Sequence, residues 1–318
     1  MKFEELARQD ATTSAALITF FEGASNEAFA ALSAAQAESI ATRDAEDGEQ
    51  LAAGIELAIA NGVLTRPEAP PAYTTIDVLG KSPEQVCEAI VAQLDAARGG
   101  AAGGCVVCIC GLSGTGKGTT VAKLGEKLSP TAGWSNGNIF RSLTLLASTW
   151  CEQQGEAFGA GALSPDNVGA WMEMISFGRW EAEGKGWDTR IAGLGMDHFV
   201  SDIANTELKG PKTKGRIPTV AGVTQGEVVR FASDAVNQMA SGADGVVVLL
   251  EGRQQTLDYI ETPHRFCLTM SDPLLIGQRR AAQLVGAAAL EACAGPDADE
   301  AAVEVAVLAA LDSVVAAQ

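Results

Sequence analysis

Apolar residues recur at helical spacing through the first 65 residues, as in Leu6, Ala7 and then Leu17, Ile18, Phe20 and Phe21, against an alanine-rich background. That spacing gathers apolar side chains on one face of a 3.6-residue repeat and predicts two or three helices. The proline-rich run 64–72 (LTRPEAPPA) ends this section, since proline cannot continue a helix. Beyond it the pattern changes. Residues 73–79 read as a strand, 80–83 (GKSP) as a turn, and 84–97 as an amphipathic helix. Ser82 stands at the N-cap position and Pro83 at the first helical position, where a missing N–H costs nothing. The apolar run 105–110 (CVVCIC) is too short for a helix and reads as a strand buried on both faces, as do 245–250 (GVVVLL) and 264–270 (HRFCLTM). Helices are predicted over 119–128 and 273–290. Residues 138–240 read as mostly helical, broken by 209–216 (KGPKTKGR), and the glycine-rich 98–104 (RGGAAGG) reads as a flexible joint. Buried strands alternating with helices predict an α/β fold with a parallel sheet covered on both faces. A helical segment over 1–65 would precede a domain over 73–318.

Composition narrows the function. With 318 residues, 47% of them hydrophobic, the chain can bury a substantial core. Its formal net charge of -18 argues against extended nucleic acid or an anionic membrane as partner, because both need a broad cationic face. A small anionic substrate needs only a local convergence of cations. No stretch approaches the roughly 18 uncharged residues of a membrane span, and Glu4 and Glu5 fall where a secretory leader carries its apolar core. Seven cysteines without framework spacing fit the cytoplasm or another reducing intracellular compartment. Cys105 and Cys108 spell CxxC, followed by Cys110, but they lie inside the apolar run. No second pair or nearby histidine completes a site, so packing is the expectation.

The strongest chemical signal is 111–119 (GLSGTGKGT), set between a buried strand and a helix. A loop that wraps a phosphate must turn successive backbone N–H groups inward, which needs dihedrals that side chains forbid. Gly111, Gly114, Gly116 and Gly118 meet that need. Lys117 can reach the β and γ phosphates, and the positive end of the following helix faces them. Ser113, Thr115, Thr119 and Thr120 add hydroxyls. This GxxxxGK pattern predicts a P-loop NTPase-type sheet that binds ATP with Mg²⁺. Gly118 stands where the commonest version has Ser or Thr, and the hydroxyl follows one residue later at Thr119.

The GKGT spelling resembles that of the cytidylate kinase family of nucleoside monophosphate kinases, and further segments extend the likeness. They are 135–146 (SNGNIFRSLTLL), 226–230 (GEVVR), 247–253 (VVLLEGR) and 266–280 (FCLTMSDPLLIGQRR), so that the resemblance covers most of 105–285. It implies Mg²⁺-dependent transfer from ATP to a small phosphorylated acceptor, a pyrimidine nucleoside monophosphate (CMP or dCMP). Lys117 and residues 111–120 would hold the donor. Asn136, Arg141, Arg230 and Arg253 would hold the acceptor, Arg253 also acting on the transferring group with Arg279 and Arg280 from a lid. Thr119, and Glu251 through water, would serve the metal.

The pieces that close this family's chains are similar to segments lying ahead of the loop here: Arg43-Asp44-Ala-Glu-Asp47, Thr75-Ile-Asp77 and 80–86 (GKSPEQV). Two readings stand, a circular permutation through the 98–104 joint or an unrelated N-terminal helical domain. On the first, Arg43 and Asp47 would read the acceptor's base and ribose. Several positions depart from the pattern: Gln254 for Asp, Ser135-Asn136 for the acceptor-side Asp-Thr or Asp-Ser, and Gln50 for a lid arginine. They leave open a different small-molecule acceptor, or a nucleotide-binding structural subunit whose catalysis has decayed. Lys209, Lys212, Lys214 and Arg216 could cover an anionic substrate or simply be solvated. His198 and His264 have no sequence partners that suggest catalysis or metal binding.

Overall fold

A computed structural model describes residues 1–98, 103–293 and 295–317; the joint predicted over 98–104 falls largely outside them. Three helices come first, α1 (Phe3–Ala7), α2 (Ala11–Gly23) and the long α3 (Glu27–Ala60). The Asp10 carboxylate accepts from the N–H groups of Thr12 and Thr13 to start α2, and the Asn26 side chain accepts from Phe29 N–H to start α3. After the proline-rich break come β1 (Thr74–Asp77) and α4 (Pro83–Arg98). Ser82 and Gln85 exchange hydrogen bonds as a capping box, at the boundary the sequence indicates.

The remaining elements are β2 (Cys105–Gly111), α5 (Lys117–Lys127), β3 (Thr131–Trp134), α6 (Asn136–Gln154), α7 (Pro165–Glu173), β4 (Ile175–Arg179), β5 (Trp187–Gly193) and β6 (Met196–Phe199). There follow α8 (Val200–Ile203), α9 (Ile217–Ser241), β7 (Val247–Gly252), α10 (Gln254–Leu257), β8 (His264–Thr269), α11 (Pro273–Ala292) and α12 (Glu300–Ala316). Five strands form one all-parallel sheet in the order β1-β8-β2-β7-β3, with the glycine loop's strand at its centre. Alternation along the central strands divides the core. Val106, Cys108 and Cys110 of β2, with Val248 and Leu250 of β7, face the helices α6 and α9. Val107, Ile109, Val247 and Leu249 face α4 and α5, against Ile90, Leu94 and Leu124. This two-sided burial is what continuous apolar runs in a covered parallel sheet imply.

A separate core joins the chain's two ends. Leu6, Leu17, Phe21, Phe29 and Leu32 pack against Ala281, Val285, Ala289, Val303 and Val307, so that α1, α2 and the front of α3 sit on α11 and α12. The long α3 is pressed at two crossings. A Cβ at Gly277 of α11 would lie 2.0 Å from the Ser33 carbonyl oxygen, and one at Gly226 of α9 would lie 2.4 Å from the Ala58 Cβ. These contacts fix where the middle of α3 falls over the sheet.

Two features were not anticipated. Residues 175–199, expected to be mostly helical, form an antiparallel sheet β4-β5-β6, and the edge strand β3 lies in a stretch given no element. Their strands are only four to seven residues long, and cross-strand contacts between distant aromatics hold them. Phe177 and Trp187 stack with centroids 5.7 Å apart, and Trp134 meets Phe177 edge-on at 5.4 Å. Such pairing confers β structure through context more than through local propensity. Among the described residues no helix is long and apolar enough to cross a membrane.

The α3–α11 crossing has a direct test. Gly277→Ala places a methyl group against backbone that cannot rotate away, and is expected to cost about 2–3 kcal/mol as an overpacked core does, measured by urea denaturation.

Candidate functional site

β2 ends at Gly111, whose φ of 152° and tight surroundings admit no side chain: a Cβ there would stand 2.5 Å from the Leu268 carbonyl oxygen. Gly114 and Gly116 have φ of 79° and 84°, the left-handed region that lets the chain fold back before α5 begins at Lys117. Gly116 is the N-cap and supplies no side chain, so the first N–H groups of α5 are left for another partner. They border a cavity of about 800 Å³ lined by residues 114–120, by Lys81 beside α4, by Glu251 at the end of β7, and by Arg279 on α11.

Within this loop the Lys117 Nζ donates to the carbonyl oxygens of Gly111 (2.8 Å) and Leu112 (2.9 Å). Burial lowers its pKa below the usual lysine value, and the nearby Arg253 guanidinium acts in the same direction. The Thr115 hydroxyl donates to the Leu112 carbonyl at 2.8 Å. Thr119 faces the cavity beside Glu251. Gly118 has no steric need to be glycine, since a Cβ would sit at ordinary distance, 3.8 Å, from the Glu251 Oε2. Arg280 is exposed and donates to the Gln283 side chain at 3.4 Å.

The opposite edge of the loop is held by α3. The Asp44 side chain, 3% exposed, accepts from Ser113 N–H at 2.7 Å and from the Ser113 hydroxyl at 2.7 Å. It also takes the Arg253 Nη2 at 2.5 Å, while Asp47 lies 3.5 Å from the same nitrogen and Arg43 donates to the Ser113 hydroxyl at 3.1 Å. Arg43, Asp47 and Arg253, singled out separately in the sequence, thus meet at the loop. Burial would raise the Asp44 pKa, but the Arg253 guanidinium and the two Ser113 donors outweigh it and hold the carboxyl at about 2. The Arg253 Nη1 is buried without a hydrogen-bond partner. Beside this cluster lies a second cavity of about 510 Å³, between α3 and the start of α11.

Other predicted residues line neither of these cavities. The Asn136 Oδ1 is engaged by the Trp134 indole N–H at 2.7 Å, and Arg141 donates to Asn138 at 3.3 Å. Arg230 is exposed and lines a different cavity, between α7, α9 and the end of α3, beside Glu173, Glu227 and Asp234. In the basic loop, Lys212 pairs with Glu152 at 2.6 Å, Lys209 donates to Asn205 at 2.7 Å and Arg216 stacks over Phe158 at 4.9 Å, so this segment is engaged by its own surroundings. Cys108 is buried, its thiol pushed up to about 12, and the described residues hold no cluster of three or more His, Cys, Asp or Glu side chains placed for a metal. The half-buried His264 has its pKa lowered by burial.

Asp44 is the residue that sequence reasoning passed over. It was visible only as the acid following Arg43; that it faces the loop depends on the long-range seating of α3. No protein-family model matches the chain, and no curated protein matches it at a significant level.

The depressed Asp44 pKa fixes the sign of a pH effect. Ionised Asp44 contributes stability above its unfolded value near 3.8, and the contribution is lost as pH falls toward about 2. It amounts to about 2 kcal/mol. Urea titrations between pH 6 and 2 should show this component in the wild type and not in Asp44→Asn.

Proposed function

We propose that this chain is an ATP- and Mg²⁺-dependent phosphotransferase acting on a small-molecule acceptor. The observation that carries the reading is the loop itself: left-handed Gly114 and Gly116, an α5 start without a side-chain cap, and Lys117 drawn across it toward the Gly111 and Leu112 carbonyls. A polyphosphate is the ligand such a cradle suits, because several N–H donors, a helix N-terminus and an ammonium converge on it. The cavity adds Lys81 and Arg279, and its Val78, Pro83 and Val86 offer an apolar wall for the donor's nucleoside.

Phosphoryl transfer asks the protein mainly to position groups and to neutralise charge. Lys117 and the α5 amides would hold the β and γ phosphates, with Arg279 approaching from α11. Thr119 and Glu251 line the same cavity and offer the oxygen donors Mg²⁺ prefers, directly or through water. Bound there, the metal would offset the charge on the phosphate oxygens.

The acceptor implied by the resemblance is CMP or dCMP. That Arg141 and Arg230 line neither cavity at the loop, together with Gln254 in place of an aspartate, favours another small molecule. The permuted reading of the fold finds support in the sheet. β1 is parallel to β8 at the sheet edge, and Leu6 and Leu17 share a core with Val303 and Val307, bringing α1 and α2 together with α12. Followed from β2 onward, with β1 taken after β8, the strands would end on two neighbours in the same sheet.

Lys117→Ala tests the core of this proposal. Direct ATP titration and a coupled ADP-release assay with ATP, Mg²⁺ and a panel of acceptors should show weakened donor binding and turnover reduced about 100-fold or more. Unchanged ATP affinity in the mutant would remove the basis for the reading.

A further inference from the structure

The two cavities meet at the loop, since Thr115 lines both. Their charges differ. Lys81, Lys117 and Arg279 face the first against Asp10 and Glu251, leaving a cationic excess beside the free amides of α5. The charged side chains lining the second are Asp44 and Arg253, already paired at 2.5 Å. Much of its remaining wall is apolar, from Ile40 and Ala41 on α3 to Leu268, Met270 and Ile276. A dianion entering here would meet no uncompensated cation. To take the Arg253 charge it would have to displace Asp44, stranding a buried carboxylate at a cost of several kcal/mol. An uncharged molecule meets no such cost.

We propose that the 510 Å³ cavity is the acceptor site and that it selects an uncharged, hydroxyl-bearing molecule of about nucleoside size. Its volume lies within the ~300–1,000 Å³ usual for small-molecule sites. Asp44 is the positioning residue: by pairing with the Arg253 guanidinium it offsets the charge that a phosphate would need there. The inference rests on the phosphotransfer reading. In the step it implies, the acceptor hydroxyl oxygen bonds to the γ-phosphorus of ATP and the bond from that phosphorus to the β–γ bridging oxygen breaks. ADP leaves, and the hydroxyl proton passes to water.

The test uses the full chain with ATP and Mg²⁺ and acceptor pairs differing only by a phosphate ester: cytidine and CMP, uridine and UMP, adenosine and AMP, glycerol and glycerol 3-phosphate. At least one uncharged member should be phosphorylated with kcat/KM tenfold or more above its phosphorylated counterpart. Ala41→Trp, at an exposed helix position on the cavity wall, should lower that kcat/KM at least tenfold with ATP affinity unchanged. Ile40→Phe serves as a second, smaller obstruction, with thermal melting as the folding control for both. Preference for the monophosphates, transfer to none of the uncharged members, or indifference to both obstructions would overturn the proposal. Failure of the wild type to bind ATP would instead overturn the phosphotransfer reading beneath it.

Discussion

A buried carboxylate cannot be left unpaired, and in this fold that constraint ties three distant stretches of chain together. Asp44 sits in the middle of α3, Ser113 in the turn after β2, and Arg253 just beyond β7, with 69 positions separating the first two and 209 the first and last. Shifting any one by an ångström or two would leave an ion without partners at a cost of several kcal/mol. The cluster therefore specifies the position of α3 over the sheet. Its seating is enforced independently at both ends of the helix, by the close crossing at Gly277 and by the contact between Gly226 and Ala58. Packing sets the height of α3, and the ion pair sets its register.

This arrangement makes the N-terminal helices part of the site. One side of the loop is built by the parallel sheet and α5, while its other edge is closed by α3 together with the start of α11 and residues 253–255. The same logic governs charge. A chain with a net charge of -18 repels anions at long range, so an anion site must be local and dense in donors. The cavity beside α5 has that density. The cavity under α3, where every charge has its counter-charge, does not.

How much of this was legible in the sequence follows from how local each signal is. The buried runs 105–110, 245–250 and 264–270 correspond closely to β2, β7 and β8, because a covered parallel strand needs apolar residues on both faces and the pattern needs no partner to be seen. Ser82-Pro83 marked the start of α4 for an equally local reason. The antiparallel strands in 175–199 were not legible. Their stability lies in pairs such as Phe177 with Trp187 and Arg190 with Asp197, which become neighbours only after folding. The site divides the same way. The glycines and Lys117 announce themselves within nine residues, whereas the arginines were placed by resemblance alone. Of these, Arg43 and Arg253 converge, while Arg141 donates to Asn138 and Arg230 lines another cavity.

That division bears on how the fold could host a changed specificity. The course of the loop depends on backbone dihedrals at Gly111, Gly114 and Gly116, which few substitutions can preserve. The edge toward α3 depends instead on side chains from separate elements. At the edge toward α3, Asp44 holds the Arg253 guanidinium in an internal pair, with Gln254 and Gln255 beside it. On the phosphotransfer reading proposed above, the distribution of free and compensated charge around the loop, more than the loop motif, would determine which acceptor is taken.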